Sequence, residues 1–198
     1  MKLFIVPGAC SLAVNIALRE AGEPFELSRV DLATQQTDAG VDFRSINPKG
    51  YVPALQLDDG RVLTENVAIL QYVADRKPQA HLAPAAGTFE RYRLMEWLSF
   101  INSEIHKGFS PLFADAPAQS LRDYAFDRLA KRLTYLHAVL QPPFVLGEQF
   151  TVADAYLFTV LGWASEVGLQ LEQWPGLVRY REHIGRRPHV LAALDSER

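Results

Sequence analysis

Met1-Lys-Leu-Phe-Ile-Val-Pro-Gly-Ala-Cys10-Ser-Leu-Ala-Val-Asn-Ile-Ala-Leu-Arg-Glu20 opens the chain with a short apolar run, a Pro-Gly break and an amphipathic segment. A buried strand over residues 2–6 therefore passes directly into a helix from Ser11 to about Ala21, which Gly22 ends. Cys10, the only cysteine, stands at the junction. Backbone amides at a helix start and the helix dipole favour anions, so a sulfur placed there, the chain's own or a ligand's, is more easily held as thiolate. A lone cysteine is also commonly an inert buried thiol, and the local sequence leaves both readings open.

The alternation of short strands and helices continues outward from this unit, as in α/β folds. Phe25 to Val30 reads as a second strand, and the polar stretch Asp31 to Ser45 as a loop or irregular helix. Val52 to Thr64 reads as a hairpin turning at Asp58-Asp59-Gly60, and Thr64 or Glu65 opens a helix that stops before Pro78. Residues 79–87 are rich in Pro, Ala and Gly and are expected to link a domain over 1–78 to an all-helical one over 88–198. In that second half, Phe89 to about Phe113 is expected to be a long helix bent near Gly108, and Leu121 to Leu140 a second one ended by Pro142-Pro143. Thr151-Val-Ala-Asp154 fits a capping box opening an uncharged helix over 152–167, the spine of this half. Leu177 to Ile184 and Val190 to Leu194 complete it as short helices.

Composition narrows the function classes. With 48% hydrophobic residues the chain can bury a sizeable core, and a net charge of -3 with interspersed signs offers no basic footprint for nucleic acid or an anionic membrane. No apolar run approaches the roughly 18 residues needed to span a bilayer, and no signal peptide is read because Pro7-Gly8 interrupts the first apolar stretch. A single cysteine makes no internal disulfide, in keeping with a reducing compartment and a cytoplasmic location. Gly-rich phosphate loops, nucleophile-elbow serines and paired zinc motifs are missing, and Ala13 stands where a Cys-x-x-Cys would need its second thiol.

Three other places could carry chemistry. Pro53 opens a strand, where it removes a ladder donor; a cis Val52-Pro53 peptide would turn the Val52 backbone groups toward a peptide-like ligand, and an edge-strand trans proline is the alternative. Glu65-Asn66 at a helix start suits an amino-acid zwitterion, or is an ordinary capped helix with an acidic first turn. Ser99, Ser103, His106 and Lys107 recur at helical spacing as a polar stripe that either faces a cleft or is simply wet.

Taken together, Pro7-Gly-Ala-Cys-Ser-Leu12, Asn47-Pro-Lys-Gly50, Val52-Pro-Ala-Leu55, Leu63-Thr-Glu65, His106-Lys-Gly-Phe109 and Phe150-Thr-Val-Ala-Asp-Ala-Tyr-Leu-Phe158 make the chain resemble the cytosolic glutathione transferases, most of all the bacterial beta class. The resemblance spans essentially the whole chain. It implies a thioredoxin-like N-terminal domain with a cis-proline, a C-terminal helical domain lining an electrophile site, a homodimer, and glutathione as co-substrate with no other cofactor. Carried over by residue, it puts Cys10 beside the glutathione sulfur with Ser11 and His106 assisting. Val52 and Pro53 hold the cysteinyl backbone, Glu65 and Asn66 the γ-glutamyl end, and Gln35 lies at the glycyl end. Ser99, Ser103, Glu104 and Lys107 join His106 along the stripe, some reaching a site in the neighbouring subunit. Phe109, Leu112 and Phe113 suggest an apolar electrophile, and Arg91, Tyr92, Leu94 and Met95 a dimer face.

The chain departs from the family pattern in places. Ile5 occupies a position where many members place a Tyr near the sulfur, Asn66 replaces a Ser and Ser99 an Asn. Gln35 replaces a Lys, which removes a charge-assisted contact to the glycyl carboxylate of about 1–2 kcal/mol. The implied activity is conjugation of the glutathione thiolate to apolar electrophiles. A monothiol disulfide or peroxide reductase acting through Cys10, and a non-catalytic binding protein of the same fold, are the rival expectations.

Overall fold

A computed structural model describes residues 1–140 and 143–198 and divides them into two compact units, Met1–Ala83 with Arg187–Arg198, and Pro84–Arg186. The first unit carries β1 (Lys2–Ile5), α1 (Ser11–Glu20), β2 (Glu26–Asp31), β3 (Gln36–Thr37), β4 (Ala54–Gln56), β5 (Val62–Thr64) and α2 (Asn66–Arg76). Its sheet runs β3-β2-β1-β4-β5. β1 pairs parallel with β2, Leu3 opposite Leu27, and antiparallel with β4, Leu3 opposite Leu55. This mixed order is the thioredoxin-like arrangement, and it makes β1 the central strand. Leu3 and Ile5 are completely buried, and Phe4, on the other face by the strand's two-residue alternation, packs in a cluster with Val30, Phe43, Val52 and Ala54.

Local chemistry sets the ends of these elements. Gly22 takes φ +65°, where a side chain would be strained, so that its N–H reaches Arg19 O while Glu23 N–H returns to Leu18 O and closes α1. The hairpin turns at 57–61 and pairs Ala54 with Thr64 as expected. The polar stretch 31–45 holds a short strand, β3, antiparallel to β2, and one 3-10 turn at Phe43–Ser45.

The end of the chain differs from the sequence expectation, which kept 188–198 with the helical half. α8 (Pro188–Ser196) belongs to the first unit. It buries Val190 and Ala193, Arg187 grips Glu20 through two bonds of 2.7 and 2.8 Å, and Asn15 Nδ2 donates to Glu197 Oε1 at 3.0 Å. Asn15 and Glu20, polar positions of α1, are thus partners for residues 187–197.

The second unit is helical: α3 (Phe89–Phe100), a π-helical segment Ile101–His106, α4 (Lys107–Phe109), a 3-10 turn Ser110–Phe113, α5 (Gln119–Val139), α6 (Val152–Val167) and α7 (Pro175–Gly185). The break in the long first helix falls at the π segment and not at Gly108. Gly108 serves a close approach, since a Cβ there would stand 2.8 Å from Leu129 Cδ2 on α5. α5 ends at Val139; of the Pro142-Pro143 pair expected to stop it, Pro142 lies outside the described residues. α6 is buried along nearly its whole length and begins with the expected capping box. The Asp154 carboxylate accepts from Thr151 N at 2.8 Å, Thr151 Oγ1 at 2.9 Å, Val145 N at 2.7 Å and the Tyr180 hydroxyl at 2.8 Å. Among the described residues no helix is long and apolar enough to cross a membrane.

Candidate functional site

In the first unit the candidate residues gather where β1, β4 and the starts of α1 and α2 meet. The chain leaves β1 through Pro7 and Gly8, the latter at φ +74°, and enters α1 with Cys10 at the N-cap. This loop is held from two sides. Ser11 is completely buried, its hydroxyl donating to Val6 O at 3.2 Å and accepting from Val6 N at 3.3 Å, while Gly8 N–H donates to Glu197 Oε2 at 3.0 Å. Ser11, expected to assist the chemistry directly, is therefore placed as a brace of the turn. Glu197 is a brace that the sequence reading missed; its carboxyl is pushed up by burial, against the pull of the Asn15 and Gly8 bonds.

The Cys10 thiol is buried and does not cap its own helix; Sγ donates to Val52 O at 3.5 Å. Val52-Pro53 is cis, one of the two alternatives the sequence left open. The Val52 carbonyl, expected to face a ligand, thus already receives the Cys10 S–H.

Glu65 caps α2 at φ +72° and ψ 120°, a backbone conformation rare for a residue with a side chain and one that clusters at functional sites. Its carboxylate takes the Lys49 ammonium at 2.5 Å and the Tyr51 hydroxyl at 2.7 Å, and both partners are raised above their ordinary range chiefly by that hydrogen bond. Lys49 and Tyr51 sit in the quoted Asn47-Pro-Lys-Gly50 neighbourhood but carried no assigned role. Next to Glu65, Asn66 is buried with neither Nδ2 nor Oδ1 hydrogen-bonded. An orphaned buried amide costs about 1–3 kcal/mol, so this position fits a group that brings both a donor and an acceptor, as an amino-acid zwitterion does. Gln35 differs from expectation. Its amide hydrogens go to Leu32 O at 2.8 Å and Gly50 O at 3.1 Å, so the side chain ties two loops together and has no donor left for a carboxylate.

In the second unit the polar stripe does not form one face. The wider turn of the π segment rotates the residues after Ile101 out of α-helical register. Ser99 and Ser103 remain exposed and bond back to Met95 O at 2.7 Å and Ser99 O at 2.9 Å. Glu104 turns to α5, where Arg132 Nε at 2.6 Å and Arg128 at 3.4 Å engage it, and Arg132 holds its carboxyl below the usual range. Lys107 is exposed. His106 turns inward: Nδ1 lies 2.6 Å from the Tyr156 hydroxyl, which donates to Asn102 Oδ1 at 2.9 Å. Trp163 stands edge-on to the imidazole with centroids 4.9 Å apart. Burial pushes the His106 pKa down to about 4, with the neighbouring Lys107 charge a smaller cause. Tyr156 and Asn102 were not anticipated; a hydroxyl within an otherwise uncharged helix was the available signal, because a buried phenol needs a partner. Of the apolar residues expected to receive an electrophile, Phe109 and Leu112 are core and only Phe113 is exposed, its ring edge-on to Trp163 at 5.7 Å. Among the described residues no cluster of His, Cys, Asp or Glu could hold a metal ion.

A thioredoxin-like unit presenting a helix-start thiol, a cis-proline and a strained acidic helix cap, together with a helical unit built on a capping-box spine, defines the glutathione-transferase class of fold. Comparison with known proteins agrees. The family description "Glutathione S-transferase, N-terminal domain" matches residues 8–76, and "Glutathione S-transferase, C-terminal domain" matches residues 100–188. The chain is 46% identical to glutathione S-transferase GstA of Escherichia coli O157:H7 over all of its own length and 98% of that protein, and 38% identical to glutathione S-transferase GST-4.5 of Xanthomonas campestris over all of its length and 98% of the relative. Among solved structures it matches BphK, a bacterial glutathione transferase in a ternary complex, with a TM-score of 0.97 and 52% identity over 100% of this chain and 99% of that one. A sphingomonad glutathione S-transferase complexed with glutathione matches with a TM-score of 0.96 and 50% identity over 100% and 98% of the two chains. The chain belongs to the glutathione S-transferase family, with bacterial beta-class enzymes among its neighbours.

Proposed function

We infer that this chain is a glutathione transferase that conjugates glutathione to apolar electrophiles. The observation that carries the glutathione assignment is the pair Glu65 and Asn66: a strained acidic cap and an orphaned buried amide at one helix start, together suited to an α-amino-acid end. The N-terminus of α1 offers positive potential to a sulfur anion, and the Cys10 thiol stands beside it. The thiol proton leaves to solvent, and His106, whose pKa burial pushes down to about 4, is neutral in the resting protein. The sulfur then attacks an electrophilic carbon; the C–S bond forms from the thiolate pair, and the leaving group departs with its own bonding pair.

Cys10 acts here as a thiol neighbour of the reacting sulfur and not as the nucleophile, a reading supported by its bond to Val52 O. The enzyme is proposed to work in the cytoplasm as a homodimer, using glutathione as co-substrate without a further cofactor. Phe89, Tyr92 and Met95, exposed at three-residue intervals on α3, support an interface there, whereas Leu94 and Arg91 of the expected face are buried within the unit. Calorimetric titration with glutathione tests the assignment: saturable binding to the wild type that weakens about tenfold in Asn66→Ala supports it, and no binding to the wild type ends it. Sedimentation showing a stable monomer at micromolar concentration would remove the dimer.

A further inference from the structure

Pro7 and Gly8 form the middle of a four-residue turn closed by Ala9 N–H donating to Val6 O at 3.0 Å. A proline in the second position and a glycine at φ +74° in the third are the marks of a type II β-turn. The peptide joining the two central residues of such a turn can rotate as a unit to the type I form, which proline accepts equally and glycine does not resist. Rotation would reverse the direction of the Gly8 N–H and redirect the chain into Ala9 and Cys10, through which it enters α1. That N–H takes no part in closing the turn; it donates to Glu197 Oε2, just beyond α8, at 3.0 Å.

The Glu197 carboxylate is itself aimed by a chain of donors. Arg19 Nε donates to Asn15 Oδ1 at 2.9 Å, which turns the completely buried Asn15 amide so that Nδ2 donates to Glu197 Oε1 at 3.0 Å and to Ser196 Oγ at 3.1 Å. Each carboxylate oxygen thus meets a donor, Oε1 that of Asn15 and Oε2 that of Gly8. A rotated Pro7-Gly8 peptide would set its carbonyl oxygen against this buried carboxylate, two acceptors with no proton between them. All of these residues belong to the first unit.

We propose that Glu197 is a positioning residue for the reacting sulfur: by holding the Gly8 N–H it locks the Pro7-Gly8 turn in one of its two forms and so fixes Cys10 and the N-terminus of α1, an inference that rests on the transferase reading above. Glu197 does not touch the sulfur; it acts through the turn.

Amide hydrogen exchange at Gly8, followed by NMR on the labelled full chain, reads the lock without any ligand. Glu197→Gln cannot replace the carboxylate, because its one carbonyl oxygen leaves an NH2 group facing either Gly8 N–H or Asn15 Nδ2. Exchange at Gly8 should accelerate about tenfold or more in this variant. Iodoacetamide should alkylate its Cys10 about fivefold faster than in the wild type. With glutathione and an activated chloronitroarene as probes, kcat at neutral pH should fall about tenfold, and its rise with pH should move to higher pH because the sulfur anion is less well held. Asn15→Leu, which removes the amide that aims the carboxylate, should give the same pattern, whereas Tyr180→Phe, which disturbs only the second unit, should alter none of these readings. Unchanged Gly8 exchange in Glu197→Gln and Asn15→Leu overturns the lock, and faster exchange with an unmoved pH–rate profile overturns the positioning role. A wild type that neither binds nor turns over glutathione removes the transferase reading and the role at the sulfur with it, while exchange and alkylation judge the lock separately.

Discussion

Cys10 Sγ donates to the carbonyl oxygen of Val52 at 3.5 Å, so the sole cysteine is held as a thiol against the cis Val52-Pro53 peptide that leads into β4. A thiol that is buried and hydrogen-bonded to a carbonyl reacts slowly, because the thiolate is the nucleophile. Iodoacetamide at neutral pH should therefore alkylate native Cys10 at least about tenfold more slowly than the same residue in urea, followed by mass spectrometry. Rapid alkylation in the native protein would favour Cys10 as the nucleophile of a monothiol reductase. That rival also requires Cys10→Ser to abolish glutathione-dependent disulfide reduction.

Asn66 links stability and binding with opposite signs. Because both polar atoms of its buried amide lack partners, Asn66→Ala should leave the ligand-free protein as stable as the wild type or about 1 kcal/mol more so in urea denaturation. The same variant should bind glutathione about tenfold more weakly, since the ligand contacts are lost. A purely structural Asn66 would behave the other way, losing stability with binding unaltered.

His106 gives the protein a pH dependence whose direction is defined. Its folded pKa is depressed to about 4 from an ordinary 6.5, so below 6.5 the unfolded chain binds a proton that the folded one refuses. This contribution to stability is complete above pH 6.5 and is lost as the pH falls toward 4. Between pH 7 and pH 5 the wild type should lose about 2 kcal/mol more than His106→Gln in urea denaturation. Equal losses in the two proteins would contradict the buried, neutral imidazole.

The Asp154 carboxylate gathers four donors in the core of the second unit. Asp154→Ala leaves Thr151, Val145 and Tyr180 without their buried acceptor and should cost about 3 kcal/mol or more, read as a fall in the urea midpoint. Tyr180→Phe removes one of those donors and should cost about 1 kcal/mol. A smaller loss for Asp154→Ala than for Tyr180→Phe would show that the network is not what organises this helix start.

Most of the scaffold was legible in the residues because it rests on local rules. Gly22 at the end of α1, the Asp58-Asp59-Gly60 hairpin turn and the Thr151–Asp154 box each act within a few positions, and each forms where the sequence placed it. Cys10, Glu65 and Asn66 could likewise be singled out from their helix starts. What could not be read depends on distant partners or on a change of helical period. Asn15 and Glu20 belong to contacts with residues 187–197, far along the chain. The stripe from Ser99 to Lys107 assumed an α-helical turn; the π segment at Ile101–His106 sends Glu104 to Arg132 and His106 to Tyr156, so residues that share a face on paper diverge in space. The donors of Gln35 were spent on Leu32 and Gly50, and a side chain's capacity can only be counted once its neighbours are in place.

The most direct test of the central claim is an ultraviolet titration of wild type and Cys10→Ala with glutathione near neutral pH, watching for the absorbance of a thiolate. A glutathione-dependent thiolate signal that persists in Cys10→Ala is the predicted result, since the sulfur being activated belongs to the ligand. Saturable glutathione binding with no thiolate signal in either protein would contradict it.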